Sequence, residues 1–330
     1  MKRKTINLPA LPDNWNRLSS RELEEVNRLM RMRDAELAFR DEQAADRRFK
    51  LRCFLFFLRL KVLKSAVKDA EGEWCFLFRR RGIRRIMEKI PMRAWQVSQW
   101  IDAKLGFLDN PYGRLVSPYT YVRFRFGTVR MKAPDDLMGN VTFHQYLTAQ
   151  NLLSACWETA EVLRQLSSKG GSRQAVREQR GRLESLQCRF LAALFNRAVK
   201  ETGEIREGRY VRSHRRTVWA YSDGQAERNA KYFRRASGRM FPVMAQYFQS
   251  VQEYYANIYP DLYTGKKSGK KTYSQLKVEV EMVNSVMKWQ GLSDYDAVYD
   301  AEAVRILGVM NAMSHEAKEI EKMNQRMKRK

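Results

Sequence analysis

Apolar residues recur at helical spacing through most of this chain and alternate at strand spacing in only a few short stretches. Leu23, Val26 and Met30 share one face of a first helix, whose start is marked by Ser19-Ser20-Arg21-Glu22. That sequence is a capping box: the Ser19 hydroxyl accepts from the Glu22 backbone while the Glu22 carboxylate reaches back, and Leu18 and Leu23 stand at staple spacing. A second helix is predicted over residues 45–68, apolar at Phe49, Phe54, Phe57, Leu58 and Val62, with Arg52, Arg59 and Lys61 on its remaining surface. Glu73 to Phe78 has strand composition, and Pro91 is placed to open a helix carrying Trp95, Trp100 and Ile101. After the turn signal Asn110-Pro111-Tyr112-Gly113, Val122, Phe124 and Phe126 alternate with Arg123 and Arg125. This predicts a strand with one apolar and one basic face, which Gly127 turns into a second strand through Val129 and Met131.

Thr142-Phe143-His144-Gln145 reads as a second capping box, ahead of a helix carrying Tyr146, Leu153, Trp157 and Leu163. The run Ser167-Ser168-Lys169-Gly170-Gly171-Ser172 predicts a flexible break. It divides the chain into an N-terminal helical domain with a small β element, 1–166, and a C-terminal helical domain, 173–330, with the boundary at 167–172. Beyond it Leu183, Leu186, Phe190 and Leu194 keep helical spacing, and residues 201–222 read as polar and irregular. A long helix from Gln225 carries Phe233, Met240, Met244, Phe248, Val251 and Tyr255, and two more are predicted near 274–289 and 298–325. The fold class is therefore mainly α, a multi-helix arrangement with one small antiparallel β element near residues 73–131.

Composition changes this picture in one respect. The chain has 330 residues, 44% of them hydrophobic, enough for a packed core. Its 62 Lys and Arg stand against 37 Asp and Glu, a formal charge of +25 spread over both halves. Such an excess favours polyanions or acidic protein surfaces as partners. Cys53, Cys75, Cys156 and Cys188 lie far apart beside apolar neighbours, as buried free thiols of a reducing cytosol do. The apolar run from Cys53 to Val62 is short and holds Arg59 and Lys61, so no membrane span is predicted, and the location expected is the cytoplasm.

Candidate chemistry is sparse. Gly265 to Thr272 imitates a phosphate-binding loop, but only three residues separate its glycines, Lys271 intervenes before Thr272, and no apolar strand leads into it. His144, His214 and His315 are far apart and have no ligand-spaced companions, so no metal and no cofactor is expected. Asp294, Asp296 and Asp300 lack the glycine and terminal Glu of a calcium loop and read as helix caps. The basic clusters carry more physical content. Arg79, Arg80, Arg81, Arg84 and Arg85 gather in one stretch, and Arg123 and Arg125 share a strand face. Arg212, Arg215, Arg216, Arg234 and Arg235 belong to a basic segment from Arg206 to Arg239, interleaved with Tyr210, Trp219 and Tyr221. Guanidinium forks on phosphates and aromatics stacked on unpaired bases would make this a nucleic-acid surface.

The order of segments also resembles a known group. It is carried by Leu11-Pro-Asp-Asn-Trp15, the capped helix from Leu18 to Leu23, the apolar helix from Phe49 to Lys64, Leu105 to Pro111, and Pro134 to Leu147. In these stretches the chain resembles proteins encoded in the tail-gene region of Bacteroidetes phages and prophages, of the kind of tail-assembly chaperones or tail accessory proteins. The resemblance implies a non-enzymatic helical binder without cofactor, in the cytoplasm of a bacterial host, that holds a tape-measure or tail-tube protein. The Met-rich final helices (Met282, Met287, Met310, Met313, Met323) suit adaptable packing of that kind. The basic balance departs from such a chaperone and keeps nucleic-acid binding as the alternative. A third class, an enzyme with a dispersed site, has no motif of its own in this sequence.

Overall fold

The capping box at Ser19 forms as its residues require. Glu22 N donates to the Ser19 hydroxyl, the Glu22 carboxylate accepts from Ser19 N at 2.8 Å, and helix α1 (Ser20–Glu36) follows, with Leu18 and Leu23 both buried. The structure is a computed structural model that describes residues 9–68, 72, 74–80, 89–124, 129–207, 210–218, 221–263, 275–292 and 294–328. It divides into two compact units, 1–114 and 115–330.

In the first unit α2 (Glu42–Phe57) packs against α1, tied by Arg52 to Glu36 at 2.6 Å. The helix expected over 45–68 stops early. Arg59 adopts φ 53, which ends the helical run, and Leu60–Lys68 is a strand, β1. It pairs antiparallel with β2 (Trp74–Arg80), which pairs with β3 (Lys89–Arg93). Pro91 lies inside β3, opposite Leu77, instead of opening a helix. An edge strand tolerates it because one side of its backbone has no partner to serve. Helix α3 (Ala94–Leu105) starts immediately after.

Trp15 closes this unit. It is 2% exposed, its Nε1 donates to Phe107 O at 3.0 Å and to Asn110 O at 2.6 Å, and its ring meets Phe107 edge-on at 5.3 Å. Buried Arg114 donates to the carbonyls of Trp15 and, at 3.1 Å, of Leu18.

The second unit is built on helices α4 (Phe143–Ser168), α5 (Arg173–Leu194), α6 (Asp223–Phe233) and α7 (Ser237–Ile258). Tyr146 stacks on Phe248 at 5.3 Å, and Phe190 meets Phe241 and Phe248 edge-on at 5.5 and 5.8 Å. One helix predicted from Gln225 is thus two, broken at 234–236. Strands β4 (Tyr121–Phe124), β5 (Val129–Lys132) and β6 (Asn196–Arg197) form an antiparallel sheet whose Val129 and Met131 enter the core. Phe126 and Gly127 of the predicted turn lie outside the described residues. The β content near 73–131 therefore belongs to two sheets, one per unit, and the mainly α class holds.

Two further elements differ from the sequence reading. Residues 167–172 lie inside the second unit: Ser167 and Ser168 end α4, and residues 169–172 make the turn to α5. Gly170 takes φ +71, and Gly171 N–H returns to Leu166 O at 2.8 Å. Ser172 then caps α5 through Ala175 N. This is a Schellman closure, so the glycines fix the turn instead of loosening it. Residues 201–222, expected to be irregular, contribute to a long hairpin of β7 (Val199–Glu207) and β8 (Tyr210–Val218).

Helices α8 (Pro260–Tyr263), α9 (Gln275–Gln290), α10 (Tyr295–Tyr299) and α11 (Ala303–Lys328) complete the unit, with Phe143, Val283, Val286, Val298 and Ile306 in a second small core. Asp294 caps α10 by accepting from Asp296 N at 2.9 Å. Residues 264–274, which include the Gly265–Thr272 loop, lie outside the described residues.

The loop before α4 is held in a strained form. Leu137 and Met138 have φ 53 and 57. Tyr247 of α7 donates to Asp135 O and accepts from Met138 N, while Tyr255 donates to Leu137 O. At Thr142 half the expected box forms: its hydroxyl accepts from Gln145 N. The Gln145 side chain turns inward instead and donates to Ala193 O at 2.6 Å. All four cysteines are free and buried. Burial pushes the Cys53 thiol far above its ordinary range and, with Cys188 adding, the Cys156 thiol up to about 12, so both stay neutral near pH 7. Among the described residues no helix is long and apolar enough to cross a membrane.

Candidate nucleic-acid interface

Helix α5 changes character along its length. From Cys188 to Leu194 it is mostly buried, whereas its first half carries Arg173, Arg177 and Arg180, all exposed. Spacings of four and three put these guanidinium groups on one helical face. With Ser167, Gly171 and Val176 they line an open cleft of about 640 Å³ beside the Schellman turn. No carboxylate among the described residues pairs with any of the three.

Where α6 packs against α5, acid does answer base. Arg189 reaches Glu227 at 3.3 Å, and Arg234 approaches Glu184 at 3.9 Å. Both pairs are largely exposed and contribute little to stability. A smaller cleft of about 300 Å³ is lined by Gly181, Glu184, Ser185 and Cys188 of α5, by Ala230 and Lys231 of α6, and by Arg234 just after it. Arg235, in the break between α6 and α7, is also exposed.

On the neighbouring sheet Arg123 is exposed, and the register places it directly opposite exposed Arg130. Like charges in that position repel, and an anion lying between them relieves the repulsion. The Arg130 guanidinium lies 3.8 Å over the Tyr121 ring. Phe124, on the other face of β4, packs on Phe233 at 5.0 Å and Tyr232 at 6.2 Å, which brings this strand against the end of α6.

Of the arginines singled out in the sequence, Arg123, Arg234 and Arg235 thus share one region of the second unit. Arg212, Arg215 and Arg216 lie on β8. Arg79 and Arg80 lie on β2 in the first unit, and Arg81, Arg84, Arg85 and Arg125 fall outside the described residues. The sequence reading missed Arg173, Arg177 and Arg180. Their spacing was visible, but the turn that leaves them beside an open cleft was not.

The remaining candidate chemistry resolves into local contacts. His144 Nε2 lies 3.2 Å from Asp223 and its ring leans on Tyr221 and Tyr299, while His315 Nδ1 lies 2.8 Å from Asp261. Hydrogen bonds from Lys318 and His315 hold the Asp261 carboxyl below its usual range. In the first unit an open groove of about 790 Å³ runs between α2 and α3, with Asp46, Arg47, Lys50 and Asp102 along it. Among the described residues no three His, Cys, Asp or Glu side chains are grouped as metal ligands. Compared with protein-family models, curated proteins and solved structures, the chain matches none of them.

Proposed function

We propose that this protein binds nucleic acid through the basic surface of its second unit. The observation that carries the reading is the row of Arg173, Arg177 and Arg180, three exposed guanidinium groups on one helix face without a carboxylate partner. A solvated helix face ordinarily intersperses both signs, as the Arg164–Glu161 contact at 2.9 Å on α4 does. An uncompensated row beside a cleft suits a chain of phosphates, which guanidinium groups bind in forks. Arg123 opposite Arg130, and the overall charge of +25, extend the same field.

The test is a salt titration of binding to a labelled DNA duplex and to RNA. Binding weakens steeply with salt. The R173A/R177A/R180A variant lowers the slope of log K against log salt by about 2.7 for duplex DNA, at about 0.9 for each phosphate no longer neutralised. Affinity near 0.1 M salt falls roughly ten- to hundredfold. Retention on neither polymer removes the reading.

A second reading, a helical assembly partner such as a phage tail chaperone, is favoured by the end of α11. Ile320, Met323 and Met327 share one apolar stripe and are 47%, 56% and 69% exposed. Such a stripe fits an amphipathic helix of a partner. A photo-crosslinker at Met323 in the native host is expected to capture a helix-rich structural protein. Adducts to unrelated abundant proteins alone remove this reading.

A further inference from the structure

We propose that the exposed end of α11 seats a second copy of this chain, the two ends lying antiparallel as a short coiled coil. Val309, Met313, Glu316, Ile320, Met323 and Met327 follow one another at alternating spacings of four and three, an unbroken heptad row. The row starts inside the second unit, where Val309 and Met313 pack on the small core around Val283 and Val286. From Glu319 to Met327 every residue is exposed, so the row outruns the core it serves. The inference takes the stripe that favours the second reading and gives it a different occupant.

Charge argues for a copy of the same segment. Residues 316–326 hold Glu316, Glu319 and Glu321 against Lys318, Lys322 and Arg326, a balanced stretch in a chain of +25. A polyanion gains little there, and two copies meet without the repulsion that the rest of the surface would bring. Glu319 and Arg326 flank the row on one side, seven residues apart, both immediately before a seam position. An antiparallel overlap with Ile320 opposite Met323 of the second copy brings each Glu319 beside the other copy's Arg326. Two-fold symmetry then makes the ion pair twice. Glu319 Oε1 accepts from Lys322 at 2.7 Å, which leaves Oε2 for the guanidinium, and Arg326 forms no ion pair among the described residues.

The orientation follows from Glu316. Parallel helices would set Glu316 against Glu316 in the seam, and like charges held together there repel. In the antiparallel register Glu316 faces Met327 of the second copy and keeps its own partner, Trp289, whose Nε1 donates to Glu316 Oε2 at 3.1 Å. The Trp289 ring, 48% exposed, then gains a methionine sulfur beside it. The overlap is about 18 Å of helix at 1.5 Å per residue. A seam this short belongs with the weaker interfaces, and a Kd on the order of 10 µM is expected. The packed first half of α11 already holds the helix formed, so association adds no cost of ordering it.

The experiment is sedimentation equilibrium on the intact chain, M323E, E319R, R326E and E319R/R326E, from about 1 to 200 µM in about 0.15 M salt. The intact chain is expected to pass from monomer to dimer mass across this range. M323E raises Kd about tenfold or more, and E319R and R326E each raise it about fivefold or more by setting like charges together. An equimolar mixture of E319R and R326E regains the intact affinity, as does E319R/R326E alone, because each again sets a cation opposite an anion. That recovery also shows that the single variants are folded, and parallel helices would not give it. The inference is overturned if the intact chain stays monomeric at about 200 µM, if M323E dimerises as tightly, or if the mixture associates no better than its components. Capture of a different protein by the crosslinker at Met323, with no adduct to this chain, gives the stripe to that partner and overturns it too. Nucleic-acid binding is measured separately, so a chain that stays monomeric and binds DNA fails this inference and keeps the first reading.

Discussion

Replacing Trp15 with Ala is expected to lower the stability of the first unit by about 3–5 kcal/mol. For a unit of this size that is a fall in Tm of more than about 10 °C. The residue combines three contributions. Its ring is 2% exposed and meets Phe107 edge-on, and its indole N–H serves two carbonyls, of Phe107 and Asn110, that the truncated variant leaves unpaired. The turn over it is fitted closely: a Cβ on Gly113 would lie 2.8 Å from Trp15 Cδ1. The rigid ring cannot yield without moving its hydrogen bonds. Gly113→Ala is therefore expected to cost about 1–3 kcal/mol in the native background and close to nothing when Trp15 is already Ala. Urea denaturation of both single variants and the double variant measures this coupling. Equal costs of Gly113→Ala in both backgrounds, or a Trp15→Ala cost under about 1 kcal/mol, would show that the ring does not close this unit.

Trp15 and Gly113 were both visible in the sequence, one as part of a lead-in and the other as a turn signal, but nothing in their separation announced that they touch. Legibility followed local physics. The Ser19–Glu22 box, the Leu18–Leu23 staple and the alternation of Val122 and Phe124 with Arg123 each involve neighbours in sequence, and each formed as read. The end of α2 did not, because the apolar run from Phe54 to Leu60 carries no period. The helix stops where Arg59 enters the left-handed region and where β2 offers Leu60 a partner in Arg80. Pairing partners distant in sequence decide such boundaries.

The β7–β8 ribbon was missed for a related reason. A sheet with one buried face imposes alternation on its sequence, but a ribbon that carries this many charges has no such pattern to show. Gln145 was misread because capping was weighed without knowing that Ala193 O would lie within reach. The basic surface was half legible. Charge runs near Arg212 and Arg234 were plain, while the row on α5 gained meaning only once Gly170 and Gly171 set the turn beside it.

Phe190→Ala is expected to cost about 3–5 kcal/mol, a fall in Tm of roughly 6–20 °C for the larger unit. Phe190 is fully buried in the second half of α5 and meets Phe241 and Phe248 edge-on, while Phe248 in turn stacks on Tyr146. Rings locked in this way cannot collapse into the space left behind, which places the cost at the upper end of the range. The contrast with the arginines on the same helix makes the result informative. R173A/R177A/R180A changes exposed side chains and should shift stability by no more than about 0.5 kcal/mol. Thermal melts and DNA binding at about 20 °C on both variants should therefore cross: Phe190→Ala loses stability and keeps binding, while the arginine variant keeps stability and loses binding. Melts that fall together would assign the arginines to the fold. Binding lost in a Phe190→Ala protein that is still folded would mean that the charged row does not act by itself, and that the shape of the buried half of α5 governs the interface.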